Sequence, residues 1–283
     1  MTTTQSAKTT IFYTPHVGNQ IGLYDGTNMV STAFAELSNV TTASSTGKAG
    51  PAAVAASSCY DLFVWNDAGT VRLTRGPAWT NDTTRSAGTA LVRQNGIWLN
   101  NATITNGPAA SRGTYVGTVR SNASSQIDWI FGTVAAGGGM ASFNVWNAYN
   151  RVDVATYVGT DTGSWTFNTG AVYQFAEGNS ATFRVNYVAG QPEEAIFATY
   201  TAQGYPPSAG ISLRFGIGYD SNALVSANAQ TVDANGGGLS VVAALPVLLG
   251  VHFVAALEQC NGVGNGYSGT GLDRTGLNAM LRM

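Results

Sequence analysis

From residue 59 onward the chain is written in short runs of alternating apolar and polar residues, cut apart by Gly, Asn, Asp and Pro. Residues 60–79, YDLFVWNDAGTVRLTRGPAW, show the pattern most clearly: apolar side chains two apart, a polar break containing Gly69, then apolar side chains two apart again. Alternate residues of a strand face opposite sides of a sheet, so this is a β-hairpin with Leu62, Val64, Val71 and Leu73 on its core face. Arg72 and the Arg75-Gly76-Pro77 corner supply polar contacts that end the pairing. The same writing recurs over 70–75, 90–94, 97–104, 113–120, 126–131, 140–149, 151–158, 164–167, 171–175, 181–188, 194–201, 210–218, 239–257 and 277–282. Asn95-Gly96 has the composition of a type I′ hairpin turn. No segment carries three turns of amphipathic helix, since the one candidate, 245–258, is apolar all round and has Pro246 near its start. The expected fold is all-β: an antiparallel β-sandwich or jelly-roll-like body.

Residues 1–58 read differently. The first ten are polar, short apolar clusters then alternate with turns, and SNVTTASSTGKAGPAAVAASS (38–58) is rich in small residues with Gly47, Gly50 and Pro51 as breakers. The expectation is an extended N-terminal arm and linker over 1–58 that docks on another chain. The body then spans 59–283, with 205–283 as a C-terminal extension of it. The longest apolar run, LSVVAALPVLLGVHFVAAL (239–257), is about long enough to cross a bilayer. Pro246 and Gly250 interrupt it, no basic flank anchors it and β-branched residues are frequent, so it reads as an interior strand pair or bent strand covered on both faces, with no membrane insertion. MTTTQSAKTT has no apolar leader segment, and no export signal is expected. Cys59 and Cys260 are the only cysteines; a bridge between the ends of the body and two buried thiols are both open, the second being the ordinary state.

Only 10% of residues are charged, against about 25% in an ordinary globular protein, and the 13 Lys and Arg form no run. A phosphate-tracking surface is therefore not expected, and neither is a nucleic-acid partner. A surface so poor in charge suits a subunit packed against copies of itself or other proteins. Arg75, Arg112, Arg120 and Arg151 sit beside turns, where a guanidinium fork can bridge carbonyls or carboxylates.

Two His and two Cys without ligand spacing imply no metal and no cofactor. His16 lies in a turn, and His252, inside the apolar run, reads as a neutral core histidine bonded to backbone. No G-x-S-x-G elbow is present, and Gly-rich 135–142, 235–240 and 261–271 lack a phosphate-loop lysine, so no catalytic residue is expected. Glycoside cleavage is the one enzymatic chemistry left open, through a pair drawn from Asp61, Asp128, Asp153, Glu177, Glu193, Glu194, Asp220 and Glu258. The six tryptophans read mainly as core. Tyr205, beside Pro206 and Pro207, and Tyr267, among glycines, are the candidate surface-binding residues, because exposed rings can stack on sugar faces.

YDLFVWND, TRGPAW, NGIWLNNATITNGPA (95–109), RGTYVGTVRSNASSQID (112–128) and FNVWNAYNRVDV (143–154) resemble a family of virion structural proteins of tailed bacteriophages and prophages. The resemblance spans about residues 11–200 and continues more loosely through GISLRFGIGYDS and LLGVHFVAALEQ. It implies a structural component made in the host bacterial cytoplasm that works in the virion, packed against copies of itself and other virion proteins; contact with a host cell-surface glycan is expected from the exposed aromatic loops. A tail appendage, fibre or tip is the first expectation. A capsid decoration protein and a carbohydrate-degrading tail protein are the alternatives. The resemblance carries no catalytic residue onto this chain.

Overall fold

The computed structural model describes residues 3–170, 172–205, 211–225, 230–232, 237–262, 264–267 and 275–283. Among these the chain is all-β, and its helical pieces are single 3-10 turns. The N-terminal strands are β1 (Gln5–Lys8), β2 (Thr10–Tyr13), β3 (Gln20–Tyr24), β4 (Met29–Ala33) and β5 (Leu37–Val40). Then come β6 (Cys59–Asp67), β7 (Thr70–Ala78), β8 (Leu91–Gln94), β9 (Ile97–Asn100) and β10 (Thr114–Arg120). Next are β11 (Ile127–Ile130), β12 (Val134–Ala135), β13 (Met140–Phe143), β14 (Val145–Asn147), β15 (Asp153–Thr160), β16 (Ser164–Phe167) and β17 (Gln174–Phe175). The chain closes with β18 (Arg184–Ala189), β19 (Ala195–Tyr205), β20 (Leu213–Tyr219), β21 (Gln230–Val232), β22 (Gly237–Pro246), β23 (Gly250–Cys260), β24 (Gly264–Tyr267) and β25 (Gly276–Arg282).

Two sheets form the sandwich. The first runs β1-β11-β13-β18-β23-β20-β21 with β17 also on β23, and the second runs β12-β15-β25-β19-β24-β16 with β22 on β19. Pairing is antiparallel except for β12 with β15 and β13 with β18. Phe143, Val185, Phe215, Ile217 and Val254 of the first sheet and Ile196, Tyr200, Val241, Leu245 and Leu277 of the second meet in one core. Alternation along each strand sends every second side chain there, as the sequence pattern requires.

A third sheet, β7-β6-β10-β9-β8 with β14 on β10, lies beside the sandwich. Its central strands β6 and β10 are buried on both faces. Phe63, Tyr115 and Trp146 on one face join the sandwich core. Tyr60, Leu62, Val64, Leu73 and Val116 on the other meet Ile11, Ile21, Leu23, Phe34 and Val54 in a second core. A sheet with two apolar faces needs two covers, and residues 3–58 are the second one. The segment expected to reach another chain is thus packed on its own: β2 pairs β5, β3 pairs β4, and β1 extends the first sandwich sheet by pairing β11.

The apolar run divides at Pro246 and Gly250, as its composition predicts, but its two halves belong to opposite sheets. Gly250 has φ +105°, and a Cβ there would stand 2.3 Å from the Asp82 carbonyl oxygen, so both conformation and close approach require glycine. From Val254 to Cys260 the second half is buried throughout, whereas β22 alternates and leaves Val242 59% exposed. Within the chain β22 is covered on one face only: its inner face fills the core while its outer face lies on the outside of the sandwich, where the expected second cover is a neighbouring subunit's to supply. Cys59 and Cys260 are both buried and free.

Candidate functional site

The arginines read from the sequence are the fasteners of this architecture. Arg75, fully buried, donates to the Val40 carbonyl at 2.9 Å, the Ala52 carbonyl at 2.6 Å, the Asn39 Oδ1 at 2.7 Å and the Ala43 carbonyl. Asn39 in turn donates to the carbonyls of Ala49 and Leu73. No carboxylate joins this cluster, and burial pulls the Arg75 pKa down from its ordinary value. Arg72 pairs with Asp67, and Arg151 with Glu193 and Glu194. Arg112 lies over the Tyr24 ring. Arg85, which sequence reasoning missed, grips buried Asp61 through two bonds of 2.7 and 3.0 Å and lies over the Trp79 ring.

Where the third sheet meets the first sandwich sheet, a polar cleft of about 680 Å³ opens. Arg120 at the end of β10 holds Asp82 in a two-bond fork at 3.0 and 2.9 Å. The Asp82 carbonyl accepts from the Val251 N–H at 2.9 Å, which docks the 80–84 turn on β23. Asp128 accepts from the Ala7 N–H and from Asn122, each at 2.8 Å. Arg184 lies over the Phe253 ring at 4.7 Å and donates to the Ser180 carbonyl. In the floor, Ser142 stands opposite Asn186 across β13 and β18, and Asn186 stands opposite Phe253 across β18 and β23.

His252 borders this cleft. Its Nδ1 lies 2.5 Å from the Asp220 carboxylate and its Nε2 3.0 Å from the Leu249 carbonyl, with the Tyr219 ring stacked on it. Both ring nitrogens face acceptors, an arrangement that favours the protonated ring, and the bond to the Leu249 backbone is the kind expected from the sequence. Burial pulls its pKa down, but the Asp220 hydrogen bond, the Leu249 carbonyl and the Asp220 charge outweigh it, and the net shift is upward. With Nε2 committed to a carbonyl, His252 is not placed to take a proton from a serine or a water.

Of the candidate carboxylates, Asp128 and Asp220 line the cleft, the first accepting from the Ala7 N–H and Asn122 and the second held by His252 and the Phe253 N–H, while the others scatter. Asp61 faces Arg85 and Thr118, Glu193 and Glu194 face Arg151, and Asp153 lies 4.0 Å from Arg282. Glu177 and Glu258 do come together. Glu258 is fully buried, accepts from Trp165 at 2.7 Å and Gln174 at 2.8 Å, and is pushed up to about 7 by burial, with the Glu177 charge adding to the rise. A carboxyl enclosed in the core has no sugar bond to act on. Among the described residues no cluster of His, Cys, Asp and Glu could hold a metal ion.

Tyr205, at the end of β19, is 53% exposed. The register sets Tyr267 opposite Gln203, and so two positions from Tyr205. The Tyr267 side chain, Pro206 and Pro207 lie outside the described residues, as do the structures of 233–236 and 268–271 within the glycine-rich stretches. Trp65, Trp79, Trp129 and Trp146 are buried, as expected of core residues, and Trp98 and Trp165 are partly so.

No protein-family profile matches the chain, and no curated protein does. Among solved structures the chain is similar to dimeric latent PorU from Porphyromonas gingivalis, with 9% sequence identity and a TM-score of 0.29 over 81% of this chain and 24% of that one. The chain thus spans about a quarter of that protein's length, and a likeness so slight carries no argument.

Proposed function

We propose that the chain is a structural component of a tailed-phage virion, a tail-associated appendage, fibre or tip protein that contacts the host surface, with no enzymatic role. The observation that carries this is a row of exposed apolar residues across four adjacent strands of the second sandwich sheet: Ala155, Met280, Phe197 and Ala244, aligned in register. Phe197 is 50% and Met280 44% exposed. An exposed apolar row, with neutral Asn278 and Thr199 on one side and the Asp153–Arg282 pair on the other, is the kind of surface that another subunit covers, an apolar centre with a polar rim. The sequence resemblance and the scarcity of charge point the same way.

Densitometry of purified virions tests it. About six to eighteen copies per particle, together with an antibody label on the C-terminus that decorates the tail, is the expected result for a symmetric tail structure. Hundreds of copies with label on the head would replace the tail reading with a capsid decoration role. Absence from purified particles would overturn both. Turnover of purified host polysaccharide, abolished by Asp128→Asn, would establish the enzymatic alternative instead.

A further inference from the structure

We infer that the cleft between the third sheet and the first sandwich sheet binds a neutral saccharide, with Asn144 and the Ser142–Asn186 pair as its polar contacts. The inference deepens the host-contact part of the proposed function by giving it a site and a ligand class. Asn144 lines the cleft and is only 5% exposed. Its backbone is used up: the N–H donates to the Asp128 carbonyl and the C=O accepts from the Arg120 N–H. Its side-chain amide, with two donors and an acceptor, has no hydrogen-bond partner in the chain. The amide opens on the cleft, where water satisfies it and a ligand hydroxyl can take the water's place.

Its neighbours offer the same kind of unfilled capacity. The Ser142 hydroxyl makes no bond within the chain, and Asn186, whose amide nitrogen donates to the Ala141 carbonyl at 3.1 Å, keeps its oxygen for a ligand. The lining thus offers both donors and acceptors, which suits sugar hydroxyls, each of them both donor and acceptor. A phosphate or carboxylate asks for donors alone. Charges of both signs are interspersed around the cleft, with Arg120 and Arg184 beside Asp82, Asp128 and Asp220. Such a lining has no net positive field to draw an anion. Met140, 36% exposed, and Val251 give the lining its apolar surface, against which the C–H face of a sugar ring can lie. The volume falls within the range of small-molecule sites.

The test is titration of the intact, purified chain with glucose, galactose, mannose, rhamnose and N-acetylglucosamine, and separately with glucuronic acid and inorganic phosphate, followed by saturation-transfer NMR and by the side-chain amide resonances of Asn144. At least one neutral sugar should bind and shift the Asn144 amide. Asn144→Ala should weaken that binding by about tenfold without lowering the melting temperature, because the amide holds nothing else in the chain. Ser142→Ala, a smaller change, should weaken it by about threefold and guards against a folding defect in the first variant. Failure of all five neutral sugars, binding of glucuronate or phosphate in their place, or unchanged affinity in both variants would overturn the inference. The measurement needs no particle, so its failure leaves the virion role standing, and a chain absent from virions leaves the cleft's ligand standing.

Discussion

The two cores of this chain are held by different means. The sandwich core is continuous and apolar, with Phe183, Tyr200 and Phe215 in edge-on or tilted contact and both sheets contributing long strands. The N-terminal layer contributes only Ile11, Ile21, Leu23, Phe34 and Val54 to its core, and its loops are instead tied down by Arg75, whose donors reach carbonyls at three separate points between residues 40 and 52. A segment with few large apolar residues cannot bury enough surface to offset the entropy of ordering it. Hydrogen bonds from a desolvated guanidinium supply the difference, and they work because the carbonyls have no other partner of that strength.

The largest effect expected from this contrast comes from deleting residues 1–58. The sequence suggests that such a truncation leaves a folded body, but the structure shows that it would strip five buried apolar side chains, each worth about 2 kcal/mol of burial, from the outer face of the third sheet. The truncated chain should keep a cooperative transition from the sandwich, melt well below the full chain and bind a hydrophobic dye through Leu62, Val64, Leu73 and Val116. An unchanged melting temperature with no dye binding would mean that the second core adds nothing.

Arg75→Met should come next. It removes the donors while leaving the carbonyls of Val40, Ala43 and Ala52 enclosed, a cost of about 3 kcal/mol or more. Hydrogen exchange should accelerate across 39–54 and stay slow in β18 and β23. Uniform acceleration over both regions would show that the two cores unfold as one unit, and the contrast drawn above would lose its energetic meaning.

These differences explain which parts of the fold are legible in the sequence. Most strands of 59–283 follow from alternation, though β12, β21 and β24 carry no such signal, and the break of the apolar run at Pro246 and Gly250 follows from backbone chemistry. That the two halves lie in opposite sheets does not, because pairing partners such as β19 and β18 are set by packing far along the chain. QSAK and LSNV, two N-terminal strands, carry no periodic apolar signal, and their placement depends on long-range contacts. The cleft was illegible for the same reason: Asp82, Asn144, Asn186 and Asp220 come from four distant turns and strands. Only the alternation of polar Arg184 and Asn186 with apolar Val185 and Tyr187 hints that β18 has a wet face.

Within the sandwich the comparison can be sharpened by pH. Glu258 has a folded-state pKa near 7 against an ordinary 4.5, so the native state binds the extra proton between these values. Stability should be unaffected by this group below about pH 4.5, fall as pH rises through the window and reach its full penalty above about 7. At about 1.4 kcal/mol per unit the penalty is on the order of 3 kcal/mol. Glu258→Gln should therefore raise the melting temperature at pH 8 and leave it nearly unchanged at pH 4, with Gln174 turning its amide to accept from the new one. Arg75 has no counterpart to this effect, since a guanidinium stays protonated throughout that range. Equal gains at pH 4 and pH 8 would show that Glu258 ionises in the folded chain as it does in water.

The smallest effect expected separates two hairpins of the third sheet. Gln94 pairs with Ile97 around Asn95-Gly96, and Asp67 pairs with Thr70 around Ala68-Gly69. Both loops have two residues with positive φ, +50° and +84° in the first and +49° and +96° in the second, which is the type I′ geometry that matches the twist of the flanking strands. Asparagine tolerates this region because its side chain bonds locally, whereas the alanine Cβ crowds the following carbonyl. The sequence advertises the first turn and conceals the second. Ala68→Asn should accordingly stabilise the chain by about 0.5 kcal/mol, a rise of about 1–2 °C in melting temperature, while Asn95→Ala should lose a similar amount. The gain should appear only if β6 and β7 open together with the rest of the chain. If Ala68→Asn leaves the global transition unmoved yet slows hydrogen exchange in β7, the third sheet unfolds apart from the sandwich, and the boundary between the two cores is also a boundary of cooperativity.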